Sequence, residues 1–186
     1  MAPTPPSLRH RVRRLWPLAV GILLAGCSHY QLGTSGRLAF STVYVEPVAN
    51  RTRLPQAQAA VSAALRDALA KDGRVSLAPS RPAADATLSV VLSDYRRDVA
   101  AVREADTGLA SKFTVTLTSL CTLRDNRTGR AYFENKPVAV ERDIFTDNGQ
   151  PWSPLTGDQL QAEYNNVPLL AQSLGGRVAH AVLDVW

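Results

Sequence analysis

Apolar residues recur along this chain with two periods, and the change from one to the other marks out the elements. Phe40-Ser-Thr-Val-Tyr-Val-Glu-Pro47 is a β-rich run stopped by proline, which predicts a first strand. Asn50-Arg-Thr-Arg-Leu-Pro55 then supplies a loop, a candidate cap and an early-helix proline. Ala57, Val61, Ala64, Leu65, Ala68 and Leu69 return at helical spacing, with Gly73 as a suitable terminator. Val75–Ala78 reads as a short strand before the breaker cluster Pro79-Ser-Arg-Pro82. A long β segment starts at Ala86 and runs, with a bulge, to about Arg103, and Glu104–Gly108 makes the turn. Lys112–Arg124 alternates threonine with apolar residues, as a half-buried antiparallel strand does. Asp125-Asn-Arg-Thr-Gly129 is a second hairpin turn, and Arg130–Phe145 returns as a strand with a break near Asn135-Lys-Pro137.

Asp147–Pro154 reads as a polar loop, after which the helical period returns for the last time. Leu160, Tyr164, Val167, Leu170, Leu174, Val178, Val182 and Val185 mark one face of a closing helix, with Thr156-Gly-Asp-Gln159 as its capping box. Pro168 and Gly175-Gly176 break local helix rules, so a kink or two helical pieces are expected. The order β-α-β-β-β-β-α defines an α+β protein: a two-layer sandwich, its sheet antiparallel or mixed, with both helices on one face.

The first residues follow a different logic. Arg9, Arg11, Arg13 and Arg14 lead into the apolar run Leu15–Ala25, which is too short to span a bilayer. A basic region, an apolar stretch of about ten residues and a small-residue exit are the parts of a secretory signal. Its end, Leu24-Ala-Gly-Cys27, resembles the lipobox of bacterial lipoproteins, which implies cleavage before Cys27 and acylation there. Several acyl chains on one cysteine anchor a protein stably, whereas one chain is marginal. Ser28 in place of an aspartate implies transport to the outer membrane of a two-membrane envelope. Residues 1–26 are thus expected to be a signal peptide, 27–37 a lipidated tether and 38–186 a single periplasmic domain.

That placement changes the meaning of the composition. The 186 residues carry 21 Lys and Arg against 16 Asp and Glu, a net charge of +5. Four of those bases fall in residues 1–26, so the remainder holds 17 against 16 and is nearly neutral. The case for a nucleic-acid binder disappears with the leader.

The chemistry carried by the remainder is sparse. With Cys27 acylated, Cys121 is left alone, and its place in the alternating run Phe113–Leu123 puts it on the inward face as a buried thiol. His10 leaves with the leader, His29 lies beside the lipid, and His180 falls on a flank of the closing helix, where it reads as partly buried. No glycine-flanked nucleophile, zinc-binding His pair, phosphate-binding glycine loop or cysteine cluster occurs. Glu141 and Asp143 share one strand face, as a hydrolytic carboxylate pair or, in most proteins, as solvated surface charge. Neither an enzyme nor a cofactor or metal protein is expected.

Clustered arginine remains: Arg51 and Arg53 before the first helix, Arg96, Arg97 and Arg103 around the first hairpin, Arg124, Arg127 and Arg130 around the second. Arginine pairs phosphate bidentately, so such a cluster can hold an anionic lipid head group. Asp94, Asp98, Glu104, Asp106 and Asp125 are interleaved, which is the pattern of a solvated face.

The order of these segments resembles the LptE family of lipopolysaccharide-assembly lipoproteins. The likeness is carried by Leu24-Ala-Gly-Cys-Ser-His-Tyr-Gln-Leu-Gly33, by Val43-Tyr-Val-Glu-Pro-Val-Ala-Asn-Arg-Thr52 leading into a helix, by Ala84-Asp-Ala-Thr-Leu88, and by Leu123-Arg-Asp-Asn-Arg-Thr-Gly129. The resemblance implies a sheet of about four strands under two helices. It also implies a protein that plugs the outer-membrane β-barrel exporting lipopolysaccharide, assists the assembly of that barrel and binds the glycolipid. The family's lipid-binding basic residue near the first hairpin falls on Arg103, with Arg96 and Arg97 beside it. A second basic residue before the last helix has no counterpart, since no Lys or Arg occurs between Arg142 and Arg177. A strand ending in Pro-x-x-Asn before an amphipathic helix also resembles periplasmic lipoproteins that activate peptidoglycan synthases or build secretion pores.

Overall fold

Alternating strands that bury one face need a second layer to cover it, and here two helices supply it. The computed structural model describes residues 38–102, 110–145 and 155–185. The signal peptide, Cys27, the tether, the turn Glu104–Gly108 with Arg103, and the loop Asp147–Pro154 lie outside the described residues. The elements are β1 (Thr42–Val45), β2 (Ala49–Asn50), α1 (Ala57–Asp72), β3 (Ser76–Leu77), β4 (Ala86–Val102), β5 (Ala110–Asp125), β6 (Ala131–Phe145) and α2 (Leu155–Leu183).

The sheet runs β3-β1-β4-β5-β6, and β2 also pairs with β4, giving six strands where the resemblance implied about four. The extra members are two-residue pairings: β1 with β3, and β2 with β4, both parallel. β1 is also parallel to β4, while β4, β5 and β6 form the antiparallel meander read from the two hairpins. The first strand is shorter than the run Phe40–Pro47, because Pro47 separates β1 from β2.

α1 buries Ala57, Val61, Leu65 and Leu69, one residue per turn, and ends at Gly73 with φ +75°. That left-handed residue is where glycine costs least. Asn50 is not a helix cap: the cap position is Gln56, which makes no side-chain bond to the helix. Asn50 folds the loop instead. Its Nδ2 donates to the Leu54 carbonyl at 2.9 Å, and its Oδ1 accepts from Thr52 N at 2.9 Å and Thr52 Oγ1 at 2.7 Å.

β4 changes its inward set midway. Ala86, Leu88, Val90 and Leu92 are buried, and then the register slips between Leu92 and Asp94. Past that bulge, Tyr95 sits opposite Leu117 and Arg97 opposite Val115, so the odd positions now face the helices. β6 is not broken near Asn135. It continues through a second slip, with Cys121 opposite Lys136 and Leu123 opposite Phe133, where Asn135 takes φ +50°. A bulge absorbs the misfit at lower cost than a broken strand would.

α2 is one helix through Pro168, Gly175 and Gly176, in place of two pieces. Gly175 is there for packing: a Cβ on it would lie 2.7 Å from the backbone nitrogen of Leu65 and 2.8 Å from the Ala64 carbonyl carbon. The two helices approach at that point too closely for a side chain. Pro168 lies on the exposed side, where water can serve the carbonyl it leaves without a helical partner. Thr156 lies inside the helix, which starts at Leu155. Val167, Leu170, Leu174, Val178 and Val182 are buried as their spacing predicts, but Tyr164 is 61% exposed and His180 is exposed too. Periodicity reports the direction in which a side chain points and not whether anything covers it.

Candidate functional site

The face of the sheet away from the helices carries hydroxyls, and at one end the chain folds around it. The β5–β6 turn Asp125–Gly129 and the 3-10 turn Arg81–Ala83 rise beside Thr87, Ser89 and Thr122 to enclose a groove of about 730 Å3. Its walls carry Glu46, Arg81, Arg124, Arg127 and Glu134.

Asn126 fixes the two turns to each other. Its Nδ2 donates to Ala84 O at 2.7 Å and Arg81 O at 3.0 Å, and its Oδ1 accepts the Thr87 hydroxyl at 2.7 Å. Asp125 shapes the turn itself, accepting from the backbone nitrogens of Arg127 at 2.7 Å and Thr128 at 3.1 Å. Those backbone bonds hold its carboxyl below the ordinary carboxylate range. Gly129 closes the turn with φ +70°. Asp85, the residue before β4, accepts through Oδ2 from the backbone nitrogens and hydroxyls of both Ser41 and Thr42, at 2.9 to 3.0 Å. These four donors push its pKa far down and pin the entry to β1 onto β4.

Across the groove the charges are matched. Arg81 pairs with Glu46, and Arg124 pairs with Glu134. Three guanidinium groups and three carboxylates thus surround a hydroxyl-bearing floor, a lining that hydrogen-bonds polar ligands and is biased toward neither sign. The sequence missed this site because Thr87, Asn126 and Glu46 are far apart in the chain. The usable signal was Asn126, a turn residue whose side chain can bond backbone.

The arginines singled out in the sequence are dispersed. Adjacent strand residues point to opposite faces, and Arg96 and Arg97 do so. Arg96 is exposed and lies 3.4 Å from Asp98 on the outer face. Arg97 turns under the ribbon toward α2: its guanidinium donates to Glu163 at 3.1 Å and sits 5.2 Å from the centre of the Phe113 ring. Tyr95 donates to the other oxygen of Glu163 at 2.5 Å, and burial together with that bond raises its pKa. Arg103 and Cys27 lie outside the described residues. Arg51, Arg53 and Arg130 are exposed.

Of the remaining chemical candidates, Asp143 and Cys121 have structural partners. Asp143 accepts from Thr114 at 2.8 Å and pairs with Lys112 at 2.7 Å, and these partners depress its pKa. Glu141 is exposed beside it. Cys121 is fully buried, burial raises its pKa, and it lies 3.5 Å from Ser119 Oγ. Among the described residues no group of three or more His, Cys, Asp and Glu could hold a metal ion.

Comparison with solved structures finds lipoproteins of low identity. A lipoprotein B from Nitrosomonas europaea is 12% identical, with 82% of this chain and 88% of that one covered at a TM-score of 0.48. A minor lipoprotein from Acinetobacter baumannii is 12% identical, covering 78% and 94% at 0.46. A PelC dodecamer from Paraburkholderia phytofirmans is 19% identical, covering 81% and 95% at 0.45. These similarities are too weak to carry a functional argument. A search of curated proteins finds no match. The family model described as LptE, lipopolysaccharide-assembly, matches residues 40–175, from the entry to β1 to the helix-packing glycine of α2. This chain therefore belongs to the LptE family of lipopolysaccharide-assembly lipoproteins of the bacterial envelope.

Proposed function

We propose that the chain is a lipid-anchored component of the outer-membrane machine that exports lipopolysaccharide, where it partners and plugs the β-barrel translocon and assists its assembly. The observation that carries this reading is the family match across residues 40–175. Two further features support it. Residues 27–186 are nearly neutral, which suits a domain enclosed by a water-filled lumen. The run Leu24-Ala-Gly-Cys27 supplies the membrane attachment in this reading, an acylated Cys27. The anchor places the domain on the periplasmic leaflet of the outer membrane. Arg103 is its lipopolysaccharide-contacting residue, with Arg96 on the exposed outer face in support, while Arg97 is engaged by Glu163 on the opposite face.

Affinity purification of the full-length chain from solubilised outer membrane tests the partnership. A large β-barrel is expected to co-purify, and recovery of a penicillin-binding protein in its place overturns the reading. For the lipid, Arg103→Ala should weaken binding of purified lipopolysaccharide while the circular dichroism spectrum stays that of the parent. Unchanged binding removes Arg103 from the site. Cys27→Ser should abolish incorporation of labelled palmitate.

A further inference from the structure

The two edges of the sheet are built differently. β3 at one edge is two residues long, too short to offer another chain a ladder. β6 at the other edge runs for 15 residues, and half of its main-chain groups have no strand to meet. Such a row is a template for pairing with another chain unless something covers it.

Pro137 shows which half points outward. It lacks an N–H, so its position opposite Leu120 belongs to the set turned away from β5. The register between Lys136 and Phe145 has no slip, so Ala139, Glu141 and Asp143 are turned the same way. The Ala139 carbonyl agrees with that direction, because it accepts from outside the sheet: Arg177 of α2 donates to it at 2.6 Å. Among the described residues this carbonyl is the one hydrogen-bond partner of the Arg177 guanidinium, which pairs with no carboxylate. α2 is already fixed by the burial of Leu170, Leu174, Val178 and Val182, so an exposed bond adds little to its hold.

What the bond does change is the edge. An antiparallel pair of two β6 strands centred on Val140 sets Ala139 against Glu141 of the second copy, Val138 against Arg142 and Pro137 against Asp143. No like charges are opposed in that register. Centred on Ala139, the pair opposes Lys136 to Arg142, and centred on Glu141 it opposes two carboxylates. In the register centred on Val140, the Glu141 N–H of each copy needs the Ala139 carbonyl of the other, the acceptor that Arg177 fills. We infer that Arg177 guards the open edge of the sheet: by occupying the Ala139 carbonyl it keeps a second copy of this chain from adding through β6. The guard is independent of the translocon reading.

The test follows the mass of the full-length chain in detergent by light scattering across a concentration series. Arg177→Ala should form dimers at concentrations about tenfold or more below those at which the parent associates, the gain of one freed hydrogen-bond acceptor. Ala139→Pro added to Arg177→Ala should return the monomer, because it removes an outward N–H and leaves the pairing with β5 whole. In the unaltered chain, amide exchange at Glu141 should be fast and independent of concentration, a readout that needs no variant to fold. Association of Arg177→Ala no more readily than the parent overturns the inference. So does a dimer that survives Ala139→Pro, or exchange in the unaltered chain that slows as concentration rises.

Discussion

The same three strands live in two environments. Near the β5–β6 turn, Leu88, Leu92, Cys121 and Leu123 lie fully buried under α1 and α2. Toward the other end, past the bulge that follows Leu92, the strands form a ribbon in which Val99 is 60% and Phe145 67% exposed. The first region is held by apolar burial. In the second, β5 and β6 still bury Val115, Leu117, Val140 and Ile144. There β4 buries none of its described residues and is held by Glu163 gripping Tyr95 and Arg97, with Lys112 paired with Asp143 and cations over the Phe113 and Phe145 rings. Interactions of that kind at partly exposed sites contribute little each, whereas a buried leucine contributes several times more. The contrast teaches that past the bulge β4 is positioned by polar contacts, while the buried strand faces are what make the protein fold.

Leu88→Asp should break that arrangement most severely, because a carboxylate with no partner would replace a fully buried side chain of the packed end. The expected loss exceeds about 4 kcal/mol, seen as the disappearance of a sharp thermal transition. Next comes a direct comparison of the two regions by urea unfolding. Leu92→Ala should cost about 2–5 kcal/mol, and Val99→Ala less than about 0.5 kcal/mol. Similar midpoints for the two would end the distinction. Gly175→Ala should cost about 1–3 kcal/mol, because the methyl group has nowhere to go against Leu65 and Ala64. The smallest effects belong to the ribbon clasp. Tyr95→Phe should cost about 1 kcal/mol. Arg97→Ala should cost slightly less than that, and Arg96→Ala, whose partner Asp98 is as exposed as itself, should be near zero. An Arg96 effect as large as that of Arg97 would show that the outer face of the ribbon is held as firmly as the face under α2.

Much of the fold was legible in the residues because it follows from local rules. The helix period of α1, its stop at Gly73, the two hairpins and the inward position of Cys121 each depend on a few neighbouring residues. The bulge in β4 could also be anticipated, since the inward set changes parity within a single β run. The misreadings share one cause. Tyr164 and His180 were placed by helical phase, but phase gives direction and not cover. Pro168 and the glycine pair predicted a break, yet the close approach to α1 turns Gly175 into a packing requirement and solvent accommodates Pro168. Asn135 and Pro137 marked an irregularity that the pairing with β5 resolves as a bulge.

The candidate sites divide along the same line. Lipid attachment at Cys27 and the arginine at position 103 were named from local motif and order, and the described residues neither add to them nor move them. The groove beside Asn126 and the guarded edge of β6 could not be found that way. The first is assembled from side chains some eighty residues apart, and the second emerges only when Arg177 is seen to turn back onto the sheet.

The sequence by itself determined the class of the protein, its family and the near neutrality of the part that follows the leader. Those depend on composition, order and motif, which the chain carries regardless of its shape. Only the tertiary structure decided which polar residues are consumed in holding the fold and which remain to meet a partner. A hydrogen bond or ion pair is a property of two positions in space, and covalent order does not say which two will meet.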